Sequence, residues 1–291
     1  MTRSLLSMCA SACALIAGVS EPEIALAQPV LTVEPPPAIV LRPFRSLPAG
    51  ENMEIIIENP SETAFNGILA IEPSEATAFA WPCATGLPVT LTGDIVLERE
   101  DYAKLTVSVE PESERRIVLR WRPDAKAYAE PGRCAFRINV HLVDEAGLRI
   151  AERNEVPVPL EVLSDSVLSI AGTSGTLMAD RTFALIDFGE LETGERAHIV
   201  FGAQANTDVE FLIDSENGGK LIGLDNPEQA IDYSASFDGE PLALESGQIV
   251  ARRPDPTLAG SRYRLDLQIG NVSGAFAGTY QDILTVELRA Q

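Results

Sequence analysis

The chain has 291 residues and a formal net charge of −21, with 45% apolar residues, 22% charged residues, four cysteines and two histidines. That balance is globular and excludes global disorder, and the length suits about two domains. The charge repels phosphate, so no nucleic-acid partner is expected and docking on anionic lipid is disfavoured.

The first segment reads as an export signal. Arg3 supplies a positive start, Leu5 to Val19 is an apolar run, and Ala25-Leu26-Ala27 offers small residues for cleavage. Residues 1–27 are therefore expected to be removed, taking Cys9 and Cys13 with them. Cys83 and Cys134 remain. In an exported chain an even pair is most simply one disulfide, closing a loop of about 50 residues worth ~4 kcal/mol in the chain-entropy model. Free thiols are the alternative.

The mature chain shows a period of two. Met53, Ile55 and Ile57 alternate with Glu54, Ile56 and Glu58. Ile117, Leu119 and Trp121 alternate with Val118, Arg120 and Arg122. Phe136, Ile138, Val140 and Leu142 alternate with Arg137, Asn139, His141 and Val143. Such alternation predicts half-buried antiparallel strands. Ala49-Gly50, Asn59-Pro60, Glu145-Ala-Gly147 and Asp238-Gly239 supply turns. Ala125 to Glu130 has room for one helical turn. Val156-Pro-Val-Pro-Leu-Glu-Val-Leu163 reads as a closing edge strand, since proline is tolerated at edges. The fold class expected is all-β, with two immunoglobulin-like antiparallel β-sandwiches after the signal. The first covers 28–163 and holds the cysteine pair. The second covers 164–291, after the polar joint Ser164-Asp165-Ser166.

Recognised chemistry is missing. Gly172-Thr-Ser-Gly-Thr176 is not a nucleophile elbow, and no zinc, calcium, P-loop or dinucleotide motif occurs. His141 and His198 fall at the outward positions of strand patterns and read as surface residues. The chain is expected to be non-enzymatic, without cofactor or metal. Trp81 lies two residues before Cys83 and has two readings: an indole packed on the disulfide, or, with Phe79, an exposed adhesive surface for a receptor or glycan.

The second half carries the most specific pattern. It contains Ile186-Asp-Phe-Gly-Glu-Leu191, Gly194-Glu-Arg-Ala-His-Ile-Val200 and Ser215-Glu-Asn-Gly-Gly-Lys-Leu221. It ends in Gly278-Thr-Tyr-Gln-Asp-Ile-Leu-Thr-Val-Glu-Leu-Arg-Ala-Gln291. This order resembles the spore coat protein U domain, the subunit fold of archaic chaperone–usher pili. It departs from that family in lacking the cysteine pair that many such domains carry.

The resemblance implies a sandwich lacking one strand, completed by a strand from a periplasmic chaperone and then from the neighbouring pilus subunit, with an usher as a further partner. Leu284, Val286 and Leu288 would line the receiving groove, while Ile283, Thr285, Glu287 and Arg289 would face away. Periodicity alone fits equally a closing strand with an ordinary core face. Gln28 to Val33 runs quickly into Pro35-Pro-Pro37, too short for a long donor strand, which fits a tip-adhesin-like subunit rather than a mid-shaft one. The expected route is periplasm, then cell surface or extracellular space. The alternative is a periplasmic or secreted two-sandwich protein, either a glycan-binding module or a pilus assembly chaperone.

Overall fold

The computed structural model describes residues 28–75, 79–84, 87, 89–93, 95–99, 102–123, 126–173, 176–179 and 184–291. The expected export signal, 1–27, lies outside the described residues. The first half contributes β1 (Val30–Glu34), β2 (Ile39–Leu41), β3 (Glu51–Asn59), β4 (Phe65–Pro73), β5 (Val89–Thr92), β6 (Val96–Arg99), β7 (Tyr102–Val109), β8 (Ser113–Pro123), β9 (Gly132–Asp144) and β10 (Arg149–Val162). The second contributes β11 (Ser166–Thr173), β12 (Thr176–Ala179), β13 (Ala184–Ile186), β14 (Arg196–Ala205), β15 (Val209–Ser215), β16 (Lys220–Gly223), β17 (Ala230–Phe237), β18 (Glu240–Leu242), β19 (Gln248–Arg252), β20 (Ser261–Ile269), β21 (Tyr280–Gln281) and β22 (Leu284–Ala290). The fold is all-β, built of largely antiparallel sandwiches.

In the first half, a sheet in the order β1-β3-β8-β5 faces one in the order β2-β10-β9-β4-β7-β6. Period two explains the faces. Met53 pairs with Leu119 and Ile55 with Ile117 across β3 and β8, so one pleat face is continuous and apolar. Leu69 pairs with Leu142 and Ile71 with Val140 on the opposing sheet. All of these are buried in one cluster. The edges are closed too: Leu31 of β1 and Ile39 and Leu41 of β2 are no more than 1% exposed.

Turn chemistry fixes the registers. Gly50 sits at φ 90°, and a Cβ there would lie 2.4 Å from the Trp121 carbonyl oxygen, so only glycine fits. Buried Asn59 donates to the carbonyls of Thr63 (2.8 Å), Val109 (3.1 Å) and Glu110 (3.2 Å), and accepts from the Ser61 hydroxyl (2.8 Å). That satisfies the polar groups of the β3–β4 turn without solvent. Asp238 and Gly239 both take positive φ, the type I′ geometry of a two-residue hairpin joining β17 and β18.

Several expectations need correction. Residues 126–130 form no helical turn. Ala127 and Ala129 are buried while Lys126 and Glu130 are exposed, an extended alternation that Pro131 reinforces by disfavouring helical backbone at Glu130. The proline-bearing strand is not at a sheet edge: β10 lies between β9 and β2, the latter parallel. However, β2 bonds only Leu160, Glu161 and Val162. The stretch with Pro157 and Pro159 pairs on the β9 side alone, so its other side is an unpaired edge, where a missing N–H costs no ladder bond.

His141 is not a surface residue. It stands on the central strand β9 between Ala70 of β4 and Glu152 of β10, 3% exposed, with Nε2 3.4 Å from Glu72. Its Nδ1 has no partner. Burial and the nearby Arg149 guanidinium hold its pKa below the usual histidine value, against the pull of Glu72 and Glu152. His198 is half-buried.

The second half has a sheet in the order β11-β14-β20-β17-β16-β21, with β18 bonded to β17, and a sheet in the order β19-β15-β22. A second apolar cluster lies between them, built on Phe201, Phe211, Phe237, Tyr263 and Leu265. The joint between the clusters is a buried polar knot. The Asp165 carboxylate accepts from Phe44 N (3.1 Å) and Arg45 Nε (3.2 Å). Asp165 N donates to Asn206 Oδ1 at 2.8 Å, and Asn206 Nδ2 donates to the carbonyls of Ala129 and Leu163, each at 3.0 Å.

Candidate strand-acceptor edge

Cys83 and Cys134 form a disulfide. Around it Phe79, Trp81, Trp121 and Phe136 make an aromatic cluster, with Phe136 centred 5.4 Å from both Trp81 and Trp121 at steep ring angles. Trp81 is 1% exposed and donates from Nε1 to the Val158 carbonyl at 3.0 Å. Phe79 is buried as well. The adhesive surface expected at Phe79 and Trp81 is thus corrected: both rings are core, held there by Phe136 and by a hydrogen bond that solvent exposure would forfeit. No local period marked Trp81 as inward, because it lies in an irregular segment.

The last strand is different. β22 bonds β15 along its length, from Ser215 opposite Leu284 to Val209 opposite Ala290. Its other side bonds no described strand. Leu284, Val286 and Leu288 face the core cluster but are only half-buried, whereas Val209, Phe211 and Ile213 beside them on β15 are fully buried. Thr285, Glu287 and Arg289 point to solvent, as their alternation requires. The exposed Arg289 guanidinium pairs with Glu287 at 2.9 Å and holds that carboxyl below its usual pKa.

Opposite β22 runs β11, the edge of the larger sheet, bonded only to β14 among the described strands. Leu168 and Ile170 of β11 are also half-buried against the same cluster. The two sheets therefore end on one side in neighbouring unpaired edges, with apolar side chains from both between them. β11 carries neither charge nor proline, the usual deterrents to edge pairing. At the matching place in the first half, Leu31, Ile39 and Leu41 are sealed by their neighbours.

Both ends of β22 are tied. Asp282, two residues before the strand, accepts through Oδ2 from the Ser215 hydroxyl and the Tyr233 hydroxyl, each at 2.6 Å. Its Oδ1 accepts from Asn217 N (3.1 Å), Asn217 Nδ2 (3.0 Å) and Ile283 N (2.8 Å). The Ser215 oxygen in turn accepts from Gly219 N at 2.7 Å. Burial and the Asp282 hydrogen bond push the Tyr233 pKa up. At the far end Gln291 N donates to the Asp208 carbonyl (2.9 Å), and the Thr207 hydroxyl to the Gln291 carbonyl (3.1 Å). Composition and period gave no sign of this cluster. Ser215, Asn217, Gly219 and Asp282 sit inside the Ser215-Glu-Asn-Gly-Gly and Gly278-x-Tyr-x-Asp patterns, which could have been read as two halves of one hydrogen-bonded turn, whereas Tyr233 lies outside both.

Among the described residues, no group of three or more His, Cys, Asp or Glu could hold a metal ion, and no helix is long and apolar enough to cross a membrane.

No protein-family model matches the chain, and no curated protein does. Among solved structures, it is similar to the CsuC–CsuE chaperone–tip adhesion subunit pre-assembly complex from archaic chaperone–usher Csu pili of Acinetobacter baumannii, at 13% identity over 89% of this chain and 99% of that one, with a TM-score of 0.46. It is similar also to CfaE, the adhesive subunit of CFA/I fimbria of enterotoxigenic Escherichia coli, at 10% identity over 89% and 99%, TM-score 0.32. A third is the CupB6 tip adhesin from Pseudomonas aeruginosa, at 10% identity over 89% and 92%, TM-score 0.36.

Proposed function

We propose that this chain is an exported, non-enzymatic subunit of a chaperone–usher pilus, tip-adhesin-like, whose second half accepts a β-strand from a periplasmic chaperone and then from a neighbouring subunit. The observation that carries this reading is the contrast between the halves. On the edge strands β1 and β2 of the first half, Leu31, Ile39 and Leu41 are sealed and Val33 alone is half-buried against the core, while Leu168, Ile170, Leu284, Val286 and Leu288 are all left half-covered between two unpaired edges. An added strand would bond those edges and cover those side chains at once, which is the physical basis of β-augmentation. The spore coat protein U-like order of motifs in the same half, ending in β22, supports the same reading.

The test is to export the full chain into a periplasm with and without a chaperone of the strand-donating kind. The expected outcome is a one-to-one complex in which the second half melts at a higher temperature than in the chain alone. A monomer that ignores every strand donor and unfolds cooperatively without one would overturn the reading.

A further inference from the structure

An edge strand with one open side should fray, because each of its residues keeps only half of its possible ladder bonds. β22 is such a strand, bonded to β15 alone among the described strands. The Asp282 cluster opposes this. A carboxylate offers about four lone-pair sites, and those of Asp282 take donors from three separate places: Ser215 at the end of β15, Asn217 in the turn that follows, and Tyr233 on β17 of the opposing sheet. The 2.6 Å bonds from Ser215 and Tyr233 are of the short, charge-assisted kind. Ser215 is itself the ladder partner of Leu284, the first residue of β22.

We infer that Asp282, through Tyr233 and Ser215, is a positioning residue that holds β22 in register along β15 while its far edge is empty, so that the strand-accepting edge is preformed rather than assembled by the incoming strand. This deepens the strand-acceptor reading and rests on it. A preformed edge lowers the ordering cost of strand addition, since β22 need not be fixed at the moment of binding. The bridge to β17 sets the distance between the sheets at the end where β22 begins. The tie at Gln291 holds the other end of β22 to β15 and the turn before it, through three exposed bonds to Thr207, Asp208 and Glu210.

The experiment is amide hydrogen exchange on the dilute full chain, comparing wild type with Tyr233→Phe and Asp282→Asn. Tyr233→Phe keeps the ring in the core and removes only the hydroxyl. The expected result is exchange about tenfold faster in the β22 amides that bond β15, from loss of one hydrogen bond to a charged acceptor. Amides of β14 and β20, and those of the first half, should stay within about twofold of wild type. Equal acceleration throughout the second half would show an ordinary stabilising cluster and overturn the inference. So would unchanged rates, or wild-type β22 amides that already exchange like a frayed terminus. None of these results needs a partner, so the positioning role can fail while strand acceptance, read by complex formation, survives.

Discussion

Replacing Asn206 with alanine should uncouple the two halves. Three groups lose their partner: Asp165 N, which gives a 2.8 Å bond to Asn206 Oδ1, and the carbonyls of Ala129 and Leu163, each reached by Nδ2 at 3.0 Å. Asp165 and Ala129 are 3% and 2% exposed, so water cannot readily replace the amide at either. Leu163 is half-buried and can be rehydrated. An orphaned buried group costs about 1–3 kcal/mol, so the two together give roughly 3 kcal/mol. Asp208→Ala, two residues away, removes only an exposed 3.6 Å pair with Arg253 and should cost under about 1 kcal/mol. Urea unfolding reads both. Trp81 and Trp121, the two tryptophans, lie in the first half, so their fluorescence reports that half while far-UV dichroism reports both. The expected result is a loss of about 3 kcal/mol for Asn206→Ala, with the two signals separating. If Asn206→Ala costs no more than Asp208→Ala and the signals stay as in wild type, the polar knot does not hold the halves together.

Removing the disulfide by Cys83→Ala with Cys134→Ala frees a sequence separation of 51 and should cost ~4 kcal/mol of first-half stability, measured by tryptophan fluorescence. Trp81→Phe should cost about 2 kcal/mol, since it removes the bond to the Val158 carbonyl and leaves a small void; a neutral result would put the indole outside the core. Leu288→Asp places a charge in the proposed groove at a half-buried site packed on the second core. It should lower second-half stability by about 1–2 kcal/mol in urea unfolding without unfolding the chain, yet abolish the chaperone complex. Stability of the first half should fall with acid because of His141. Its folded pKa is depressed, so the unfolded chain binds the proton first and stability drops as pH falls through about 6.5. His141→Gln should remove that part of the slope between about pH 5 and 7, while the carboxylates titrate lower.

Period two fixes which side chains of the alternating strands meet the core. In β3, β8 and β9 the apolar alternate residues are the ones that became core, because a pleated strand can offer only one face to it. The same rule placed Leu284, Val286 and Leu288 on one face of β22 and Glu287 and Arg289 on the other. Parity failed where a position's cover comes from elsewhere. His141 is outward by parity yet buried, since it sits on an inner strand beside Glu72 and Arg149. Trp81 lies in no strand, and only the approach of Phe136 and the Val158 carbonyl made it core.

Local pattern also says which face a strand presents, not whether a neighbour will cover it. The same alternation describes β3, sealed between β1 and β8, and β22, open on one side. Likewise Asp282 is 67 residues from Ser215 and 49 from Tyr233, so no local spacing could join them. The alternating faces of β3, β8, β9 and β22 and the pairing of Cys83 with Cys134 are legible in the amino-acid order, because they follow from side-chain periodicity and covalent chemistry. The tertiary structure alone decided which edges stay open and which polar groups close them off, because both depend on contacts between segments distant in the chain.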